Sequence, residues 1–290
     1  MKTSQTRRRF ITCRYSFIRM ALASTCLFSV LFASFSVSAD SMAAVKENGT
    51  LRVGVTQAPP WYSKDLSSGE WNSGLGVQMG KAMAESIGVE FEPVEVTWGT
   101  AIAALQSGKI DLMYMLDATD ERKQAVSFPE TPLLYYSLAV LAGDDLEVTT
   151  WDDLNSSDIS IAVPQASSMD KFVSEFAPEA NIQRFPGNQE SIAAFQSGRV
   201  DAVSLFHPPL LAALSKLGQG KIVVPTPALS KASSVAVRTE DNTAFVDWVD
   251  ESIAQFYTEG QTQQWYEQAL ADFGLDGSTA PPVMKELLEQ

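Results

Sequence analysis

The stretch AIAALQSGKIDLMYMLDATDER, residues 101–122, decides the fold. Ile102 and Leu105 stand three residues apart, the spacing of one helix face. Gly108 follows as a stop, with Lys109 beside the negative end of the helix dipole. Residues 110–116 are mostly apolar without strict alternation, which predicts a strand covered on both faces. The chain then turns polar, through Asp117, Thr119, Asp120, Glu121 and Arg122. Thr119 suits an N-cap, and the two acids after it suit the first turn of a second helix. Arg122 is out of place there, because a cation is disfavoured at the positive end of a helix dipole. Either its planar fork of donors holds an acidic ligand, or it forms a weak surface pair with Glu121 or Asp120. In open parallel sheets the crevice beyond the strands' carboxyl ends is where ligands bind, and Arg122 falls there.

The phrase recurs. Residues 101–111, AIAALQSGKID, are matched by residues 191–201, SIAAFQSGRVD, with seven of eleven positions identical at an offset of 90. Two copies are too few for a solenoid. They predict two α/β lobes, each with one helix, stop and strand. Around them, helical patterns alternate with short apolar strands, which argues for βαβ units and parallel sheet.

Composition bounds the rest. The 290 residues suffice for one or two domains with sizeable cores. Residues 1–39 read as a cleavable secretory signal: Lys2, Arg7, Arg8, Arg9, Arg14 and Arg19 precede an apolar run at 20–37, and small residues lead to Asp40. That places the mature protein in the periplasm. No later apolar run approaches the ~20 residues that span a bilayer. The segment holds six of the 21 basic residues and none of the 35 acidic ones, so the mature chain carries a formal net charge of −20. Such a surface repels nucleic acid, though one local arginine can still dominate a closed cleft. Both cysteines, Cys13 and Cys26, lie in the segment to be removed, which leaves no disulfide and no thiolate.

Catalytic and metal motifs are weak. His207 is the single histidine, sits before two prolines, and has no G-x-S-x-G elbow to serve. Asp144-Asp145 and Asp152-Asp153 read as solvated loop acids, so no metal or cofactor is expected. Gly74, Gly76 and Gly80 miss the spacing of a phosphate loop. The aromatics say more. Trp61 follows a Pro-Pro break after the first strand, Trp98 opens the repeat helix, and Tyr114 lies on the strand leading to Asp117. All map to one edge of the first lobe's sheet, as an aromatic wall around a small ligand would.

With these residues in view, the chain resembles the extracytoplasmic solute-binding proteins of family 3, the polar-amino-acid receptors of ABC importers. The marks are Leu51-Arg-Val-Gly54 with the Pro-Pro-Trp break, Ala104 to Asp111, Thr119-Asp-Glu-Arg122, Val126-Ser-Phe128 and Gly198 to Val203. The resemblance implies a periplasmic-binding-protein-like type II fold: two α/β lobes joined by two hinge strands. Lobe 1 would comprise residues 40–134 and 235–290, and lobe 2 residues 135–234. It also implies amino-acid transport, with a small carboxylate-bearing ligand in the cleft, an inner-membrane ABC permease as partner, and a monomer. Arg122 matches the arginine that holds the ligand's α-carboxylate. Ser167 and Ser168 match the second-lobe turn that also holds it, and Trp61 and Trp98 match positions that often give an aromatic wall. Asp117 stands where the family usually has Ser or Thr, and Phe206 where it often has an Asp for the α-amino group. Either Asp117 takes over the ammonium contact, or the ligand is not an ordinary α-amino acid. The alternative function is a periplasmic enzyme on the same scaffold, resembling cyclohexadienyl dehydratase, with Asp117 as its acid.

Overall fold

The computed structural model describes residues 40–285; the expected signal segment lies outside them. Asp40 caps a short helix that the apolar spacing does not announce, α1 (Ser41–Asn48): its carboxylate accepts the Ala43 amide at 2.9 Å. Only Ser41 and Val45 are buried on it, so it leaves little periodic signature. Strand β1 (Thr50–Val55) follows, then the hairpin β2 (Ser63–Lys64) and β3 (Trp71–Ser73). Helix α2 (Leu75–Ser86), strand β4 (Glu90–Glu95) and helix α3 (Ala101–Gln106) lead to β5 (Leu112–Tyr114) and to the single turn α4 (Asp120–Lys123). The sequence predicts a strand over 110–116, but extended pairing stops at Tyr114 because Met115 adopts φ 58°, outside the β region.

The glycines that fail as a phosphate loop serve close packing instead. Gly74 has φ 109°, and a Cβ there would lie 2.5 Å from the Trp61 carbonyl oxygen. Its bareness lets α2 begin against the 60–62 turn, where the Leu75 and Gly76 amides donate to the Pro60 and Trp61 carbonyls. That dock fixes Trp61.

Strand β6 (Leu134–Ala142) opens the second half. It is followed by β7 (Ser160–Pro164), α5 (Ser168–Phe176), β8 (Asn181–Phe185), α6 (Asn188–Gln196), β9 (Ala202–Phe206), α7 (His207–Leu217) and β10 (Lys221–Val223). Prolines 208 and 209 sit in the first turn of α7, where a missing amide costs nothing. The return passes through β11 (Ser230–Ser233) and β12 (Val235–Val237). These belong to different sheets, where the sequence suggests one continuous strand over 233–237. Two helices end the described chain, α8 (Ala244–Thr258) and α9 (Gln261–Ala271).

The first sheet runs β12-β5-β1-β4, parallel except for β12; the second runs β10-β6-β9-β7-β8. In the second, β7 is parallel to β8 and β9, whereas β6 and β10 are antiparallel to their neighbours. Two α/β lobes result, and two strands carry the chain between them. These are β6 outward and β11 on return, paired antiparallel from Ser230 opposite Ser137 to Ser233 opposite Leu134. One face of each element builds the cores: Leu51, Val53 and Val55 on β1, and Phe245, Val249, Ile253 and Phe256 on α8, are buried.

The two copies of the repeated phrase fold alike. In each, the helix ends at a glycine with φ 68°, Gly108 or Gly198, and the strand enters beside its lobe's first strand. The aspartate closing each phrase ties that strand down. Asp111 accepts the Arg52 amide at 2.8 Å, and Asp201 accepts the Ser160 amide at 2.8 Å.

Candidate functional site

The site grows from strand ends. Beyond β5 the backbone turns at Met115, and the 117–119 segment leads into α4. Thr119 accepts the Arg122 amide at 3.3 Å and so caps the turn as its sequence position predicts. On the second lobe, Ser167 caps α5, accepting the Asp170 amide at 3.1 Å and donating to the Pro164 carbonyl at 2.6 Å. Phe206 ends β9.

Six of the nine candidate residues meet on one cavity between the lobes: Trp61, Trp98, Arg122, Ser167, Ser168 and Phe206. Met115, Tyr136, Met169, Asn188 and Pro209 complete its wall, and the closed space among them is about 20 Å³. The lobes touch across it. The Trp98 indole N–H donates to Asn188 Oδ1 at 3.0 Å, and Arg122 Nη2 donates to the Ala166 carbonyl at 3.3 Å. Rings line one side continuously, with Tyr136 and Phe206 3.7 Å apart between centroids and Trp61 5.9 Å from Tyr136. Trp61 in turn stacks on Tyr266 of α9 at 6.0 Å.

Arg122 is neither a surface charge nor paired with Glu121 or Asp120. Nη1 donates to the Asp117 backbone carbonyl at 3.2 Å, and no ion pair involves Arg122 among the described residues. Burial pushes its pKa down from the usual arginine value, while the nearby Asp117 carboxylate pulls it back up. A half-buried guanidinium held only by backbone carbonyls is under-compensated, which is the electrostatic condition for gripping an anion.

Asp117 is 6% exposed and does not line the cavity itself. Its Oδ1 accepts the Tyr136 hydroxyl at 2.5 Å, and its Oδ2 has no hydrogen-bond partner. Burial raises its pKa above the ordinary aspartate value, against the opposing pull of Ser168, Tyr136, Arg122 and Lys231. The Tyr136 hydroxyl also lies 2.9 Å from the Ser233 hydroxyl, so one phenol joins the buried carboxylate to both crossing strands.

Two candidates stand elsewhere. Tyr114 is fully buried in the first lobe's core, and its hydroxyl points at Met83 Sδ, 2.9 Å away. The turn at Met115 presents that residue to the cavity instead. Thr119 is occupied as a cap and lines only the outer mouth of the cleft, with Glu121 and Asp170. His207 begins α7 with Nδ1 buried and without a partner, and it is not on the cavity wall.

The residues that sequence reasoning missed are Tyr136, Asn188, Met115, Met169 and Pro209. Tyr135-Tyr136 gives no hint of which ring faces inward. Asn188 lies at the start of α6, where a polar residue is ordinary.

The profile of the bacterial extracellular solute-binding proteins, family 3, matches residues 51–272. The L-cystine-binding protein TcyJ of Escherichia coli (strain K12) is 24% identical over 227 residues, covering 77% of this chain and 84% of that protein. The L-arginine-binding protein of Pseudomonas aeruginosa is 27% identical over 180 residues, covering 60% and 67%. Among solved structures, the ancestral amino acid-binding protein AncCDT-1, a precursor of cyclohexadienyl dehydratase, superposes with a TM-score of 0.72. Its identity is 29%, over 79% of this chain and 99% of that one. An amino acid ABC transporter substrate-binding protein from Streptococcus pneumoniae, bound to L-arginine, gives a TM-score of 0.71 at 26% identity, over 80% and 98%.

Proposed function

This chain belongs to the bacterial extracellular solute-binding proteins of family 3, and from that premise we propose that it captures a small carboxylate-bearing, amino-acid-like solute between its lobes. Arg122 carries the reading. It stands on the cavity wall, half-buried, with backbone carbonyls as its only partners among the described residues. A carboxylate from a ligand would complete its bidentate geometry and offset the cost of its burial. Ser167 and Ser168, at the start of α5, would add amides at a helix N-terminus. Trp61, Trp98 and Phe206 would cover the apolar part of the ligand, and Asp117 would set the potential felt by a positive group.

The lobes are residues 40–134 with 235–290, and 135–234, and they would close on the ligand by bending at β6 and β11. Relatives named for L-cystine and L-arginine, and a neighbour named as an ABC transporter protein, support a permease partner in the inner membrane and delivery from the periplasm. The enzyme reading draws its interest from AncCDT-1 and from the raised pKa of Asp117. Catalysis needs an acid within reach of substrate, and neither Asp117 nor His207 lines the cavity, so binding is the better-supported role.

Calorimetry of the protein against amino acids, opines, betaines and organic acids tests the proposal. At least one carboxylate-bearing solute should bind and lose its affinity in Arg122→Ala. The reading fails if no bound solute depends on Arg122.

A further inference from the structure

The cavity wall carries a cation, Arg122, and no carboxylate. Arg122 offers only N–H groups. The Asn188 carbonyl oxygen already accepts from Trp98, which leaves it one lone pair and its amide hydrogens. The Ser167 oxygen both donates to Pro164 and accepts from Asp170. The Tyr136 hydroxyl is engaged with Asp117 and Ser233. Ser168, whose hydroxyl donates to Met169 Sδ at 3.5 Å, keeps its lone pairs, and Ser167 and Asn188 keep one each, so every side-chain acceptor on the wall is neutral. A primary ammonium brings three N–H groups, and each one buried without an acceptor costs about 1–3 kcal/mol. The donors suit a carboxylate well, whereas no lining carboxylate offers an ammonium the charged acceptor that would offset its burial.

The wall instead offers ring faces. Trp61, Tyr136 and Phe206 form a contiguous surface, flanked by Met115 and Met169. Behind it, the Asp117 carboxylate supplies negative charge without presenting a lone pair to the cavity, since its Oδ2 is buried. Aromatic faces backed by a carboxylate attract a cation that has no N–H to satisfy.

We propose that the ligand is a zwitterion whose cationic centre is N-alkylated, as in a quaternary ammonium, seated against Trp61, Tyr136 and Phe206 while Arg122 takes its carboxylate. The inference rests on reading the cleft as a carboxylate site and names the chemistry of the ligand's other end. A cation so placed favours the ionised form of Asp117, so cage and carboxylate reinforce one another.

Calorimetry with matched pairs tests it: glycine betaine against glycine, and proline betaine against proline, on the purified protein. Each betaine should bind at least about tenfold tighter than its parent. Equal or tighter binding of the parents, or no binding of either betaine, overturns the inference. If primary amino acids then bind in an Arg122-dependent way, the carboxylate reading survives alone; if no carboxylate solute binds, both fall. Phe206→Leu keeps an apolar side chain but removes one ring face. With its circular dichroism unchanged, it should bind betaine about tenfold more weakly; unaltered affinity would also count against the cage.

Discussion

Asp111 and Asp201 close two copies of one phrase, and in both places the carboxylate clamps the neighbouring parallel strand, β1 or β7. Their surroundings differ. Asp111 is 4% exposed and takes three bonds from Arg52, the side-chain pair closing at 2.6 Å. The same arginine caps the preceding helix by donating to the Gly108 carbonyl at 2.6 Å. Asp201 lies open to solvent, and its partner is the short side chain of Ser160, at 2.5 Å. The shared residues therefore fix topology, while the facing strand decides how much the clamp contributes. Six residues further along, the copies diverge in chemistry. At the same offset of 90, Asp117 in the first lobe corresponds to His207 in the second. The first strand end leads to charge, Asp117 and Arg122; the second leads to Phe206 and two prolines.

The widest separation between the halves is expected in ligand binding. Arg122→Ala should weaken the bound carboxylate solute on the order of a hundredfold, because truncating one member of a buried charge pair costs about 2–5 kcal/mol. Titration calorimetry reads this, and no lobe 2 side chain should match it. The next effect concerns stability. Asp111→Ala should cost about 3 kcal/mol, since it strands Arg52 and an amide. Asp201→Ala should cost about 1 kcal/mol or less. Urea unfolding of the two variants measures the gap, and equal losses would mean that burial does not set the clamp's weight.

Smaller effects separate the strand ends by pH. Burial raises the Asp117 pKa, so folding is penalised as pH rises above the ordinary value of 3.8. Asp117→Asn should therefore raise the melting temperature at pH 7, and the gain should vanish below pH 3.8. His207 has the opposite sign. Burial lowers its pKa from 6.5, so its contribution is present above that value and is lost as pH falls. His207→Gln should flatten the melting-temperature profile below pH 6.5 by a smaller amount. Parallel slopes for the two variants would break the contrast.

The scaffold was legible because it rests on local rules. Glycine stops, the Thr119 cap, the prolines opening α7 and the α8 face all follow from short-range chemistry that a single sequence displays. Arg122 stood out for the same reason, as a cation in the wrong turn of a helix. The residues that escaped notice depend on long-range placement. Tyr136 reaches the cavity because β6 crosses between sheets, and Asn188 because the lobes meet across 90 residues of chain. Tyr114 misled because alternation along β5 breaks at Met115, a backbone event without a sequence signature.

Tyr136 has one consequence for anyone who wishes to redesign this protein. On the proposed reading, the strand on which the two halves would swing also furnishes part of the wall that would judge their cargo. Selectivity and mobility would then share a single side chain, and a change made there to widen the menu of solutes would retune the pivot as well.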